Sequence, residues 1–368
     1  MNIKSLLLGS AAALVAVTGA RAADAVVVAE PEAVEYVRVC DAYGKGFFYI
    51  PGTETCLKIG GYLRADVKGG DSVYTGGHVN QGSDPESDGT YYFRTRATVR
   101  FDARSETELG TLRSYIETRF QYTNGANATE LPQAYIELGG FRIGVSDALF
   151  GSWTGAAGKV INDDVINYQS GVSNQVSYTF NAGNGFSAII GAEQGRVQDA
   201  SYFSYDYRID DYMPHVLAGV KFEQAWGAIS AVGGYDSVVE EFGGKVRLDV
   251  KFTDTVSAFV MGGYQSNYDD APRGKRNWYG TWEGDWAAWG GLSAKVSDKA
   301  TVNAQVAYES EGTYAATANV AYELVPGFVI TPEISYTKFD GARKDFAESR
   351  IGGKDDAFGG MIRFQRNF

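Results

Sequence analysis

The sequence predicts an all-β chain folded as a transmembrane 16-stranded antiparallel β-barrel, and three observations carry that prediction. Apolar and polar residues alternate with period two through sixteen segments. The connections between those segments are alternately short and long. After residue 22 no apolar run is long enough to cross a bilayer as a helix.

The elements follow in chain order. Lys4 precedes a mostly apolar run, Ser5 to Ala20, and Ala20-Arg21-Ala22 has the small-x-small pattern of a signal-peptidase site. Residues 1–22 are therefore expected to be a removed leader, whose loss of Lys4 and Arg21 would take the formal charge from −12 to −14. Residues 23–56 form an N-terminal segment carrying the two cysteines, Cys40 and Cys56. In an exported chain these are expected to pair as a disulfide. Closing a loop of about 17 residues, the bond would contribute roughly 3 kcal/mol through the unfolded state. A zinc site would need more ligands than these thiols and the distant His78 and His215 supply. No metal and no cofactor are expected. Ala23 to Val39, with Glu30, Glu32 and Glu35, fits either a lumen-directed helix or a periplasmic tail.

The barrel is expected over residues 57–368. In its first segment Leu57, Ile59, Gly61, Leu63, Ala65 and Val67 share one face, while Lys58, Tyr62, Arg64 and Asp66 share the other. The second alternates Phe93, Ala97, Val99 and Phe101 with Arg94, Arg96, Thr98 and Arg100. The third sets Leu112, Ile116 and Phe120 against Arg113, Tyr115, Glu117 and Arg119. Later segments centre near Ile136, Ile143, Tyr178, Ile189, Ala218, Ser230, Leu248, Val260, Gly291, Ala304, Ala318, Thr331 and Ile362. Short connections fall at 181–185, 253–254, 296–299 and 326–327, and long polar ones at 68–90, 146–173, 193–213, 265–285 and 338–356.

Physics favours closure in lipid. A soluble core wide enough for sixteen strands would split into domains, and no linker is visible. In a bilayer an open sheet edge would leave N–H and C=O groups without water, so the sheet must close. Sixteen strands then enclose an aqueous lumen. The 24 Tyr, 20 Phe and 46 Gly suit many short strands and turns, and the acidic balance argues against nucleic acid as a partner.

The last segment ends on Phe368, and reading back by twos gives Arg366, Phe364, Ile362, Gly360 and Phe358 on one face. With the stretches Val37-Arg38-Val39-Cys40-Asp41-Ala42-Tyr43-Gly44, Phe48-Tyr49-Ile50-Pro51-Gly52-Thr53-Glu54-Thr55-Cys56 and Val160-Ile161-Asn162-Asp163-Asp164-Val165, residues 23–368 resemble the general porins of alpha-proteobacterial outer membranes. The resemblance implies a water-filled channel for passive diffusion of small hydrophilic solutes and ions. It also implies a homotrimer set in outer-membrane lipid and lipopolysaccharide, with the third long loop folded into each lumen. The terminal Phe368 resembles the insertion signal read by the barrel-assembly machinery.

Strand parity points Arg64, Arg94, Arg96, Arg100, Arg113, Arg119 and Arg142 into the lumen, all from the first five segments. The loop 146–173 carries Asp147, Asp163 and Asp164 beside Phe150 and Trp153. Folded inward, its carboxylates would face the arginines and set up a transverse field that orients dipolar solutes. The alternative is a wide, solvated lining in which arginines pair with Glu117 or Glu137. A second reading of function takes the aromatic loop 202–212 (Tyr202, Phe203, Tyr205, Tyr207, Tyr212) as a track for sugar rings in a substrate-specific porin. The same residues fit an external loop packed on itself.

Other signals are weaker. Gly183-Asn184-Gly185-Phe186-Ser187-Ala188 matches a dinucleotide fingerprint in letters, yet lies between two strand segments. Asp84, Glu86, Asp88 and Gly89 echo a calcium loop, but Thr95 stands where the bidentate Glu belongs. Trp226, Trp278, Trp282, Trp286 and Trp289 are read as interfacial belt or loop-packing residues. With only His78 and His215 as imidazole bases, and neither in a recognisable nucleophile constellation, an enzyme is not expected.

Overall fold

The computed structural model of the chain describes residues 38–72, 77–78, 91–199, 204–269, 276–348 and 353–368. The expected leader, the segment Ala23 to Val37, the Asp84–Gly89 echo, Tyr202 and Phe203 lie outside them.

Sixteen strands make the wall: β1 (Cys56–Ser72), β2 (Tyr92–Thr107), β3 (Gly110–Thr123), β4 (Ala126–Leu138), β5 (Phe141–Asp147), β6 (Val172–Asn181), β7 (Phe186–Glu193), β8 (His215–Gln224), β9 (Gly227–Asp236), β10 (Glu241–Lys251), β11 (Val256–Gln265), β12 (Trp286–Lys295), β13 (Ala300–Glu309), β14 (Thr313–Val325), β15 (Phe328–Phe339) and β16 (Asp356–Asn367). Each pairs antiparallel with its chain neighbours, and β16 closes onto β1 through Arg64↔Gln365 and Asp66↔Arg363. No barrel edge is left for another chain to extend. All sixteen centres read from periodicity fall within strands.

The alternation has a physical cause: one face of every strand meets lipid and the other meets the lumen. Leu63, Phe93, Ile116, Val260 and Ile334 are exposed on the outer face. On the same strands Asp66, Thr98, Glu117, Met261 and Glu333 are buried on the inner one. The seam needs a glycine. Gly61 and Phe368 exchange backbone hydrogen bonds of 3.0 and 3.1 Å. Gly61 has φ +156°, and a Cβ there would fall 2.0 Å from the Thr98 carbonyl.

At the short-turn end Cys40 and Cys56 form the expected disulfide, with Cα atoms 6.0 Å apart. Phe48–Tyr49 pairs with the first residues of β1, and Phe47 is buried against the cystine. At the other end the long connections hold two short helices, α1 (Leu149–Thr154) and α2 (Gly341–Glu348). The main apolar cluster lies inside the barrel: Leu149, Phe150, Trp153, Ile166 and Tyr168 meet Met261, Trp278, Trp282 and Trp289. The tryptophans therefore divide. Trp226 and Trp286 are exposed, while Trp278, Trp282 and Trp289 are buried.

Candidate functional site

The inner wall made by β16 and β1–β5 is an array of arginines and carboxylates built by strand register. Asp66 is flanked on neighbouring strands by Arg363, at 2.7 Å, and Arg94. Glu117 binds Arg100 at 2.7 Å and Arg119 at 2.7 Å. Asp102 takes Arg104 at 2.8 Å and Arg113 at 2.9 Å, and Arg113 continues to Glu137 at 2.8 Å. Glu137 also binds Arg142. Tyrosines fill the gaps. The Arg64 guanidinium lies 4.4 Å from the Tyr62 ring, and those of Arg113 and Arg142 lie 4.7 and 4.4 Å from Tyr115 and Tyr135. Arg64 and Arg96 differ from the others, donating instead to Gln365 at 2.8 Å and Gln121 at 2.9 Å.

Residues 148–171 run along the opposite wall. The loop is rooted where the Leu149 N–H donates to Glu193 Oε1 at 2.7 Å. Trp278 Nε1 and Tyr279 Oη donate to the other oxygen of Glu193, at 3.0 and 3.1 Å. Inward side chains of successive strands then donate to loop carbonyls. Lys245 of β10 reaches Tyr168 O at 2.6 Å, and Arg247 reaches Ala156 O at 2.5 Å. Trp289 of β12 reaches Ile166 O at 2.9 Å, Gln305 of β13 reaches Asp163 O at 2.9 Å, and Thr317 of β14 reaches Asn162 O at 3.2 Å. On β15, Glu333 accepts from the N–H groups of Ile161 and Asn162.

This seat places the loop carboxylates. Asp163 accepts from the Tyr168 hydroxyl at 2.6 Å. Burial, reinforced by the charge of Asp164, pushes Asp163 up to about 7 against the opposing pull of that hydroxyl. The Tyr168 hydroxyl is itself raised, by burial and by Asp163. Asp164 is an electrostatic partner of Lys68, the β1 residue beyond Asp66. Asp147 lies at the loop root, accepting from Gln133 at 3.1 Å, with Arg119 and Arg142 in its field.

The structure thus brings the seven sequence-read arginines onto one wall and sets the three aspartates along the loop, Asp147 beside that wall. Glu117 and Glu137, the acids the sequence offered as arginine partners, bind Arg100, Arg119, Arg113 and Arg142. Parity did not single out Asp66 and Asp102, which hold Arg94, Arg363 and Arg104. Nor did it single out the loop's anchors Glu193, Lys245, Arg247 and Glu333; a charge at an inward strand position was the available signal. Of the aromatic loop, Tyr207 is buried with its ring 5.4 Å from Trp278, whereas Tyr212 is fully exposed. His215 is buried between Asp236, 3.1 Å from Nδ1, and the Tyr207 carbonyl, 2.6 Å from Nε2.

Comparison with known proteins agrees with this architecture. The family model described as "Porin subfamily" matches residues 24–361. Porin Omp2b of Brucella suis biovar 1 (strain 1330) is 52% identical over 381 aligned positions, covering 100% of both chains. Porin Omp2b of Brucella abortus (strain 2308) is 51% identical over the same span. Among solved structures, the outer membrane channel DcaP of Acinetobacter baumannii superposes with TM-score 0.62 at 15% identity, covering 87% of this chain and 99% of its own. A triple mutant of the Rhodopseudomonas blastica porin gives 0.53 at 13% identity, covering 85% and 100%. At such identities the two structures speak to the fold alone.

Proposed function

The chain belongs to the porin family, and on that premise we propose that its constriction lies between the arginine wall of β16 and β1–β5 and the acidic tip of loop 148–171. The protein is an outer-membrane porin, a multi-pass β-barrel whose water-filled lumen passes small hydrophilic solutes by diffusion. Its family is one of channels rather than enzymes. The finer reading is that Asp163 and Asp164 oppose Lys68 and the arginines across the narrowest passage, with Asp147 at the loop root. Ordered water between opposed charges is costly to displace, so such a field admits dipolar solutes and resists apolar ones. Arg suits the fixed wall because its charge is permanent.

One observation carries this reading: the backbone of Ile161 and Asn162 is clamped by Glu333, which fixes the two aspartates on the lumen side of β15. Three further features belong to the proposal: removal of residues 1–22, assembly as a homotrimer, and recognition of Phe368 by the barrel-assembly machinery. Embedding beside lipopolysaccharide completes it. The test is single-channel recording of the purified, full-length protein in planar bilayers, with and without a panel of sugars. Ohmic steps inserting in groups of three, without sugar block, are expected. Saturable block by one sugar would transfer the function to a specific channel, and folded barrels that pass no current would overturn the pore.

A further inference from the structure

We infer that the cross-strand pair Arg64–Arg96 is an oxyanion-binding step in the lumen, taking carboxylate- or phosphate-bearing solutes. The inference rests on the open channel proposed above and adds a ligand class to one part of its wall.

Register isolates this pair. Arg64 and Arg96 are direct partners across β1 and β2, with Gln365 beside Arg64 on β16 and Gln121 beside Arg96 on β3. The rung therefore reads Gln365–Arg64–Arg96–Gln121. Directly opposed residues on one face keep Cβ atoms about 5 Å apart, a separation at which like charges repel unless an anion joins them. Elsewhere on this wall a carboxylate does so. Asp66 sits between Arg363 and Arg94, Asp102 between Arg104 and Arg113, and Glu117 between Arg100 and Arg119. Among the described residues, Arg64 and Arg96 are the wall's two arginines without a carboxylate ion-pair partner.

Each glutamine holds its own arginine. Gln365 Oε1 takes Arg64 Nε at 2.8 Å, and Gln121 Oε1 takes Arg96 Nε at 2.9 Å and its Nη2 at 2.6 Å. Arg96 also shares a side-chain hydrogen bond with Tyr62, whereas Arg64 keeps its terminal nitrogens for a solute. Tyr62, beneath the Arg64 guanidinium at 4.4 Å, supports it from the side. A guanidinium's planar fork matches the paired oxygens of a carboxylate or phosphate group, and two such forks stand on adjacent strands of one rung. The rung lies four residues along β1 from Lys68, about 13 Å, so an anion leaving the field of Lys68 and Asp164 meets it next on the way to the short turns.

The experiment measures block of the potassium chloride current by added succinate and, separately, inorganic phosphate in wild type, Arg64→Gln/Arg96→Gln and Arg104→Gln. Arg104 carries the same charge on the same wall, and its loss leaves Asp102 bound to Arg113. Saturable block is expected in wild type and Arg104→Gln. The half-blocking concentration should rise at least about tenfold in the double variant, which is 1.4 kcal/mol. Block by succinate alone assigns the site to carboxylates, and block by phosphate alone to phosphoryl groups. Conduction without saturable block by either ion overturns the site and leaves the pore standing. An equal rise in Arg104→Gln overturns it too, because net charge rather than the pair would be responsible. Channels silent in potassium chloride overturn both.

Discussion

The two halves of the lumen satisfy their polar groups differently. On the wall of β16 and β1–β5, side chains satisfy side chains on adjacent strands, and most remain in contact with water. Around β7–β15, inward side chains satisfy the backbone of loop 148–171 and are sealed by it. Glu137 and Glu193 make the contrast concrete. Glu137 holds Arg113 and Arg142 with its side chain 23% exposed, whereas Glu193 holds Leu149, Trp278 and Tyr279 at 1% exposure. The first arrangement can lose a member and let water replace it. The second cannot, since a buried donor without a partner keeps its full desolvation cost.

The largest expected effect tests that difference. Glu193→Ala orphans three buried donors and should destabilise the folded barrel by about 3 kcal/mol or more. Glu137→Ala should cost about 1 kcal/mol or less, as for a partly exposed ion pair. Urea midpoints in detergent micelles check both, and equal losses would remove the distinction between the walls. Next in size is Glu333→Gln. An amide oxygen can accept one of the two N–H groups of Ile161 and Asn162, so the loop tip should loosen by roughly 1–2 kcal/mol. Single-channel traces should then show greater open-state noise and a higher mean conductance. A trace indistinguishable from wild type would mean that the tip is held elsewhere.

The walls also differ in how far the sequence exposes them. Periodicity gave all sixteen strands because lipid on one face and water on the other impose it residue by residue. The pairing of Arg100 with Glu117 was within reach of simple counting, since residues equidistant from the Glu108–Leu109 turn face each other across β2 and β3. The loop's seat was not. Its contacts run through the carbonyls of Ala156, Asp163, Ile166 and Tyr168, groups that every residue type possesses. Their partners lie far away in the chain and look like any other lumen-facing residue. Lys245 cannot be told from a solvated lysine until the loop covers it. Trp278, read as a belt or loop-packing residue, and Tyr279 beside it gain their role only when Glu193 is brought to them.

A smaller effect concerns the ion preference proposed to arise between the walls. Asp163→Asn/Asp164→Asn removes negative charge from the loop tip while leaving the arginine array intact. The reversal potential in a potassium chloride gradient should move toward anion preference. An unchanged potential would exclude these carboxylates from the selectivity-determining passage.

The smallest effect is the pH dependence of that preference, and its sign follows from Asp163. Burial and Asp164 raise this carboxyl from 3.8 to about 7, so the proton favours the seated loop. Its stabilising contribution is fully present below the unfolded value of 3.8 and is lost as pH rises through about 7. Between pH 6 and pH 8 the tip gains negative charge, and the reversal potential should drift toward cation preference in a step centred near 7. Loop-dependent current noise should increase over the same interval, because a buried carboxylate beside Asp164 opposes docking. In Asp163→Asn the step should vanish at this midpoint, while the arginine wall, whose guanidiniums stay charged throughout, contributes no step of its own. A step that survives the substitution would assign the titration to another group and separate the ion preference from the seating of the loop.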